Sequence, residues 1–191
     1  MIQTRRSFVK SSGMLLLATT AGGSIELTGC DSLGNYLSVG LAAFSSLVAL
    51  LAKDGVLTAS NPLVMDVNAA FAAAMAADQT YQKDKAAGTS ALVAALDAVN
   101  AALQAFTSQA VIPSTLITLV LDAVEIIIST IAGWAGTLVP TITVKGTLTA
   151  KSGQTKAVVA KKRSKHTFIS DWNATVTRDG SPQLTLKNSW F

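Results

Sequence analysis

The sequence predicts an all-α protein, an up-and-down four-helix bundle with a basic C-terminal extension. Half of the 191 residues are hydrophobic and 14% are charged, which is typical of a chain with a packed core. Between residues 32 and 139, alanine and leucine dominate, and apolar residues recur every three or four positions. Short signals for turns divide this stretch into four segments, and short connections favour antiparallel neighbours.

The first helix is predicted at about residues 33–53 and the second at about 62–86. In the first, apolar side chains form one seam: Leu37, Leu41, Phe44, Val48 and Leu51. Asp54-Gly55 ends this helix. The second starts at Asn61-Pro62, because proline is favoured in the first turn of a helix. Seven of the nine residues from 69 to 77 are alanine, which lets neighbouring helices approach closely.

Gly88 separates the second segment from a third helix, predicted at about 90–109. The fourth, at about 114–138, starts at Pro113-Ser114 and is apolar almost all round. Its polar residues form a narrow line, here called the polar stripe: Thr118, Asp122, Glu125 and Ser129. This helix is long enough to cross a membrane. Each of its two acids costs about 2.5 kcal/mol or more at a bilayer centre, so we predict a buried helix of the bundle instead.

Charge and composition change at Pro140, where we predict a boundary between the bundle, residues 30–140, and the C-terminal extension, residues 141–191. The bundle carries three bases and eight acids, whereas the extension carries nine bases and two acids. The respective net charges are −5 and +7. A dense basic run occupies residues 161–166.

The extension is predicted to mix extended chain with either a short helix or a hairpin. Residues 141–145 alternate between polar and apolar, which indicates a strand. Phe168, Trp172 and Val176 are four residues apart and favour a helix. Residues 174–187, with a turn at Asp179-Gly180, fit a hairpin equally well. Trp172 and Trp190 are large apolar anchors, which predicts that the extension docks on the bundle.

Two short motifs precede the predicted bundle. The first, Thr4-Arg5-Arg6-Ser7-Phe8-Val9-Lys10, resembles the twin-arginine export motif, with only Val9 in place of the usual leucine. An apolar stretch from Gly13 to Ile25 follows and is too short to span a bilayer. The second motif, Leu27-Thr28-Gly29-Cys30, resembles the lipobox of bacterial lipoproteins position by position.

The resemblance implies that residues 1–29 are a removable signal and that Cys30 is acylated. The export signal would be carried by Arg5, Arg6, Phe8 and Lys10, and the lipobox by Leu27, Thr28, Gly29 and Cys30. The twin-arginine translocase would export the folded protein. A diacylglyceryl group on Cys30 would then anchor it in membrane lipid, on the outer face of the cytoplasmic membrane, the periplasmic side in a Gram-negative cell. Cys30 is the only cysteine, which excludes an internal disulfide.

Residue types for catalysis and metal binding are scarce. The chain has one histidine, one cysteine and, after residue 29, one glutamate, Glu125. A histidine-based triad, a thiol protease and the common zinc sites cannot be assembled from this set. No glycine-rich phosphate loop is present. We therefore predict no enzymatic activity, no metal and no cofactor other than the covalent lipid.

Two groups of charged residues remain as candidate sites. Asp122 and Glu125, three residues apart on an apolar helix, are either a carboxylate pair with altered pKa values or part of a solvent-facing stripe. The basic run is either a contact for an anionic surface or a solvated linker. Its candidate contacts are Lys161, Lys162, Arg163 and Lys165, and His166 is expected to be exposed beside them.

These observations favour a cell-envelope lipoprotein of structural or interaction type. Its partners would be membrane lipid and an envelope protein or anionic polymer, not nucleic acid, since the protein is exported. One alternative is a helical module that binds lipid or another hydrophobic ligand. A second alternative is a carboxylate-based enzyme that uses Asp122 and Glu125.

Overall fold

The computed structural model describes residues 32–139 and 145–186. Within these ranges the chain is mostly helical, as predicted, with a small sheet in addition. The elements in chain order are α1 (Leu33–Lys53), α2 (Pro62–Lys83), α3 (Lys85–Gln109), α4 (Ser114–Leu138), β1 (Lys145–Thr149), β2 (Thr155–Val159) and α5 (Lys165–Arg178), followed by a 3₁₀ turn at Pro182–Leu184. The motifs at residues 4–30, the predicted boundary at Pro140, the strand over 141–144 and Trp190 lie outside the described residues.

Helix α1 and the start of α2 are as predicted. Gly55 follows α1 with a φ of +70°, a conformation that glycine adopts without strain. Asn61 caps α2 by accepting a hydrogen bond from the backbone N–H of Leu63 at 3.0 Å. Helix α4 likewise covers the predicted range.

The predicted separation of α2 and α3 at Gly88 is wrong. Helix α2 ends at Lys83, and Asp84 caps α3 by accepting from the backbone N–H groups of Ala86 and Ala87 at 3.0 and 3.1 Å. Gly88 lies inside the first turns of α3 because the two helices meet closely there. A Cβ atom on Gly88 would lie 2.4 Å from the Cα atom of Tyr81. This glycine permits helix contact rather than breaking a helix.

The hydrophobic core lies between the four long helices and continues under the C-terminal extension, which contributes Leu148, Val158 and Trp172. Helix α1 contacts α2 and α4, α2 contacts α3, and α3 contacts α4. By length and composition alone, α1, α3 and α4 could each cross a membrane. In the structure, α4 buries most of its apolar surface against the surrounding elements, in agreement with the predicted buried helix.

The C-terminal extension folds onto the bundle through α5 and a hairpin. Strands β1 and β2 are antiparallel, with Thr147 opposite Ala157, and the turn uses Gly153 at a φ of +86°. The helical interpretation of Phe168, Trp172 and Val176 is confirmed, and all three side chains are buried. The alternative hairpin over 174–187 is wrong in the described part of that range. Its first residues continue α5, because a helix buries this four-residue repeat on one face.

Candidate functional site

The polar stripe of α4 faces the C-terminal extension. Asp122 and Ser129 are buried, Glu125 is half-buried, and Thr118 is exposed. Strand β2 and helix α5 both contact α4. The solvent-facing interpretation of the stripe is therefore wrong at its centre. Most of the stripe lies at the contact between the acidic bundle and the basic extension.

Asp122 is the best-connected carboxylate of the stripe. Its side chain is 11% exposed and forms an ion pair with the ammonium group of Lys156 on β2 at 2.8 Å. The guanidinium of Arg178, at the end of α5, pairs with the other carboxylate oxygen. Arg178 also donates to Asp179 at 2.9 Å, and the hydrogen bond to Asp179 is the main reason that the pKa of Arg178 is raised. Asp122 thus joins a strand and a helix of the extension to the bundle.

Glu125 lies beside Asp122 but in a different setting. Both line an open cleft of about 260 Å³, together with Lys156, Arg163 and Asp171. Across the described residues, Glu125 forms no ion pair. In the same parts of the chain, no three or more histidine, cysteine, aspartate or glutamate side chains are grouped as a metal site would require. The cleft therefore holds two different carboxylates: Asp122 is ion-paired, and Glu125 is half-buried.

Arg163 is the most deeply buried base of the basic run. It is 5% exposed, and its Nε donates to Asp171 Oδ2 at 2.8 Å. Its Nη1 donates to Thr130 Oγ1 at 3.0 Å and also to the hydroxyl of Ser129. The prediction that Arg163 contacts an external anionic surface is wrong, because α4 and α5 surround its guanidinium. A buried charge keeps this position only when it is paired and hydrogen-bonded, as Arg163 is.

The other bases of the run lie closer to the surface. Lys161 is 58% exposed and contacts Asp171 at 3.4 Å, while its backbone N–H donates to the carbonyl of Ser129 at 2.8 Å. Lys162 and His166 are exposed, as predicted for His166, and Lys165 is half-buried at the start of α5. The run is therefore neither a free linker nor a uniform basic patch. Its backbone is attached to α4, and only part of its charge faces outward.

Two residues near the end of α4, which the sequence reasoning missed, hold this segment. A Cβ atom on Gly133 would lie 2.3 Å from the backbone of Lys161 and Lys162. The indole N–H of Trp134 donates to the carbonyl of Arg163 at 2.6 Å. The ring of Trp134 stacks on Tyr36 with centroids 4.5 Å apart, and the ammonium of Lys162 lies 4.2 Å from its centroid. A usable signal existed, since Gly133 extends the polar stripe by one four-residue step.

The interior of the bundle offers little room for a ligand at the apolar cleft between α3 and α4. This cleft measures about 10 Å³ and is lined mainly by Leu96, Val99, Ile128 and Ile131. Such a volume holds about one water molecule and cannot accept an acyl chain. The cleft therefore gives no support to the hydrophobic-ligand alternative.

The residues of the two predicted addressing motifs lie outside the described part of the chain, so their placement adds nothing to the site. Comparisons of this chain with protein-family models, with curated proteins and with solved structures found no match.

Proposed function

We propose that this protein is a bacterial envelope lipoprotein, exported by the twin-arginine route and anchored through acylated Cys30, with a structural or interaction role. The observation that carries the proposal is the order of two motifs and a folded unit. The export motif and lipobox come first, and α1 begins at Leu33, three residues after Cys30. Removal of residues 1–29 would leave every described helix and strand intact.

The experiment for the anchor is mass spectrometry of the protein purified from the membrane fraction of an expressing bacterium. The expected mature chain starts at Cys30 and carries a diacylglyceryl group on its sulfur. Cys30→Ser should abolish both the acylation and the cleavage. A wild-type protein that keeps residues 1–29, or that has an unmodified thiol, would contradict the proposal.

The export route is tested separately by replacing Arg5 and Arg6 with lysine. The resemblance to the twin-arginine motif implies that the protein folds before it is exported. A bundle with mainly local contacts folds rapidly, which suits this order. The double variant should remain unprocessed in the cytoplasm, while Lys10→Gln serves as a milder change in the same motif. Unchanged acylation of the double variant would exclude the twin-arginine route but leave the lipid anchor possible by another route.

An interaction role is supported by the outer faces of α2 and α3. Exposed alanines lie along both helices: Ala69, Ala72, Ala73 and Ala76 on α2, and Ala91, Ala94, Ala98 and Ala101 on α3. We propose that an envelope protein packs on this face. Cross-linking in intact cells should detect a defined complex that Ala94→Glu removes and that Ala52→Glu, an exposed position on α1, leaves in place. A complex insensitive to Ala94→Glu would exclude the α3 part of this face.

A non-enzymatic role is proposed because the candidate carboxylates are not arranged as a free pair. Asp122 is held by Lys156 and Arg178, so its charge is already balanced within the fold. We also propose the up-and-down connectivity of the four long helices. It is supported by the short connections between them and by the contacts of each helix with its neighbours in sequence.

A further inference from the structure

Basic residues from two separate parts of the chain, the junction of α2 and α3 and the segment that follows β2, lie at one end of the molecule. This end, here called the tethered end, contains the start of α1, the junction of α2 and α3, and the end of α4. Its exposed bases are Lys83, Lys85, Lys161 and Lys162. Contacts between the elements establish the grouping.

The start of α1 lies beside the end of α4. Tyr36, in the first turn of α1, stacks on Trp134 in the last turns of α4 at 4.5 Å. The ammonium of Lys162 lies 4.2 Å from the centre of the same indole ring. Lys161, next in the chain, is 58% exposed. Trp134 itself is half-buried. This side of the end therefore combines two exposed lysines with Trp134, whose ring packs on the buried Tyr36.

The junction of α2 and α3 lies at the same end. A Cβ atom on Gly34 would lie 2.8 Å from the carboxylate oxygen Oδ2 of Asp78, so this part of α2 adjoins the start of α1. Lys83 is five residues further along α2, about 7.5 Å at the helical rise, and Lys85 begins α3. Only Asp84 separates them. At the opposite end, near the connection between α1 and α2, Lys53 is accompanied by Asp54 and Asp66.

The proposed lipid anchor is attached to this basic end. Two peptide units, which span at most about 7 Å, separate Ser32 from residue 30. Tyr36 is one helical turn beyond Ser32. An acyl chain on Cys30 would therefore hold the bilayer surface close to the tethered end. Lysines near an anionic membrane each contribute about 1 kcal/mol to attraction, and tryptophan, here the half-buried Trp134, is enriched at the same depth.

We infer that the tethered end rests on anionic phospholipid head groups, so that the bundle stands on the membrane by this end. The inference rests on the proposed function, because it takes Cys30 as the anchor. It assigns the contact with the membrane surface to Lys83, Lys85, Lys161 and Lys162. Arg163 takes no part in this contact, because its guanidinium is hydrogen-bonded inside the fold.

The test uses the acylated full-length protein, purified from membranes and reconstituted in vesicles. Because Cys30 is the only cysteine and its sulfur would carry the lipid, one added cysteine provides a unique spin-label site. Thr137→Cys places the label at the tethered end, and Ala59→Cys places it in the exposed connection at the opposite end. Contact with a head-group-bound nickel chelate is measured in phosphatidylcholine vesicles with and without phosphatidylglycerol.

The expected result is strong head-group contact at residue 137 and none at residue 59, with the contact increased by phosphatidylglycerol. Replacing Lys161 and Lys162 with glutamine should lower the surface-bound population about fivefold for each lysine. Replacing Lys53 and Lys151 with glutamine removes the same charge elsewhere and should have no such effect. Added salt should weaken the contact as it screens the charges.

The possible failures are distinguishable. If mass spectrometry finds no acyl group on Cys30, the proposed function fails and this inference fails with it. If the protein is acylated but the label at residue 137 remains in water, only the orientation is overturned. Contact that is the same at residues 59 and 137, or that the lysine changes leave unaltered, also overturns it. Displacement of the label from the vesicles by soluble polyphosphate alone would assign the basic residues to a polymer instead.

Discussion

Gly133 and Lys161 lie so close that no side chain fits between them: a Cβ atom on Gly133 would be 2.3 Å from the carbonyl carbon of Lys161. The backbone N–H of Lys161 also donates to the carbonyl of Ser129 at 2.8 Å, one turn earlier on α4. This crossing point attaches the basic run to the bundle. It gives the extension a fixed path between the hairpin and α5.

We expect Gly133→Ala to destabilise the protein. Alanine in a helix normally stabilises by about 1 kcal/mol relative to glycine, but here its methyl group would collide with backbone atoms. Crowding of this kind typically costs about 1 to 3 kcal/mol, so the net free energy of unfolding should fall. Urea unfolding followed by circular dichroism measures the change. A more stable Gly133→Ala variant would show that the crossing is looser than the structure has it.

Arg163→Met should be more damaging than the loss of a neighbouring lysine. It leaves Asp171 without its closest partner and Ser129 and Thr130 without a donor. Leaving a buried hydrogen-bonding group without its partner costs about 1 to 3 kcal/mol. The matched control Lys162→Gln removes the same charge at the surface together with its contact to Trp134, and should cost about 1 kcal/mol or less. Thermal unfolding compares the two, and equal effects would contradict the buried role of Arg163.

A double-mutant cycle tests whether Gly133 and Arg163 act through the same docking. If each substitution releases the basic run from α4, the combined loss in the Gly133→Ala, Arg163→Met variant should be smaller than the sum of the two single losses. Fully additive free energies of unfolding would indicate two independent effects.

Asp122→Asn should lower the free energy of unfolding more than Glu125→Gln, although the two residues are neighbours on α4. Asp122 pairs with Lys156 and Arg178, both partly exposed, so its loss should cost about 1 kcal/mol. Glu125→Gln should change stability by less than about 0.5 kcal/mol. Unfolding at low and at high salt measures both, and the cost of Asp122→Asn should shrink at high salt. An equal cost for Glu125→Gln would point to a partner beyond the described residues.

Asp78 makes stability depend on pH. Burial raises the pKa of its carboxyl group above the ordinary value of 3.8, and hydrogen bonds from Gln82 and Gly34 offset only part of the shift. A raised carboxyl pKa means that the folded state binds the proton more tightly than the unfolded state. The destabilising contribution is absent below pH 3.8, grows as the pH rises through the folded-state pKa, and is complete above it.

Asp78→Asn should remove this dependence. The difference in unfolding free energy between Asp78→Asn and the wild type should therefore shift in favour of the variant as the pH rises through the acid range, then level off. Urea unfolding at a series of pH values measures it. Asp66→Asn, an exposed position on the same helix, controls for the change in net charge. A difference that is constant across this range would contradict the assignment.

The long helices were predictable because the signals that define them are local. The start of α2 at Asn61-Pro62 depends on hydrogen bonds within a few residues, and so does the end of α1 at Asp54-Gly55. The predicted break at Gly88 was wrong, because the role of this glycine depends on its contact with Tyr81 in the neighbouring helix. A glycine needed for close contact looks the same in sequence as a glycine that ends a helix.

The candidate site was only half predictable for the same reason. The polar stripe on α4 and the basic run are both visible in the sequence, and their opposite charges favour association. Their pairing is not visible, because Asp122 meets Arg178 across 56 positions and Arg163 meets Thr130 across 33. Neighbouring bases of one run therefore have opposite environments: Arg163 is buried and Lys162 is exposed.

By itself, the sequence determined the helical class, the bounds of α1 and α4, the acidic and basic halves, and the two N-terminal motifs. These are properties of local periodicity and composition. Only the tertiary structure decided that the polar stripe is covered, that Arg163 is buried while Lys162 is exposed, and that bases from distant segments share one end. Burial and charge pairing depend on which distant surfaces meet, and that information appears only when the chain is packed.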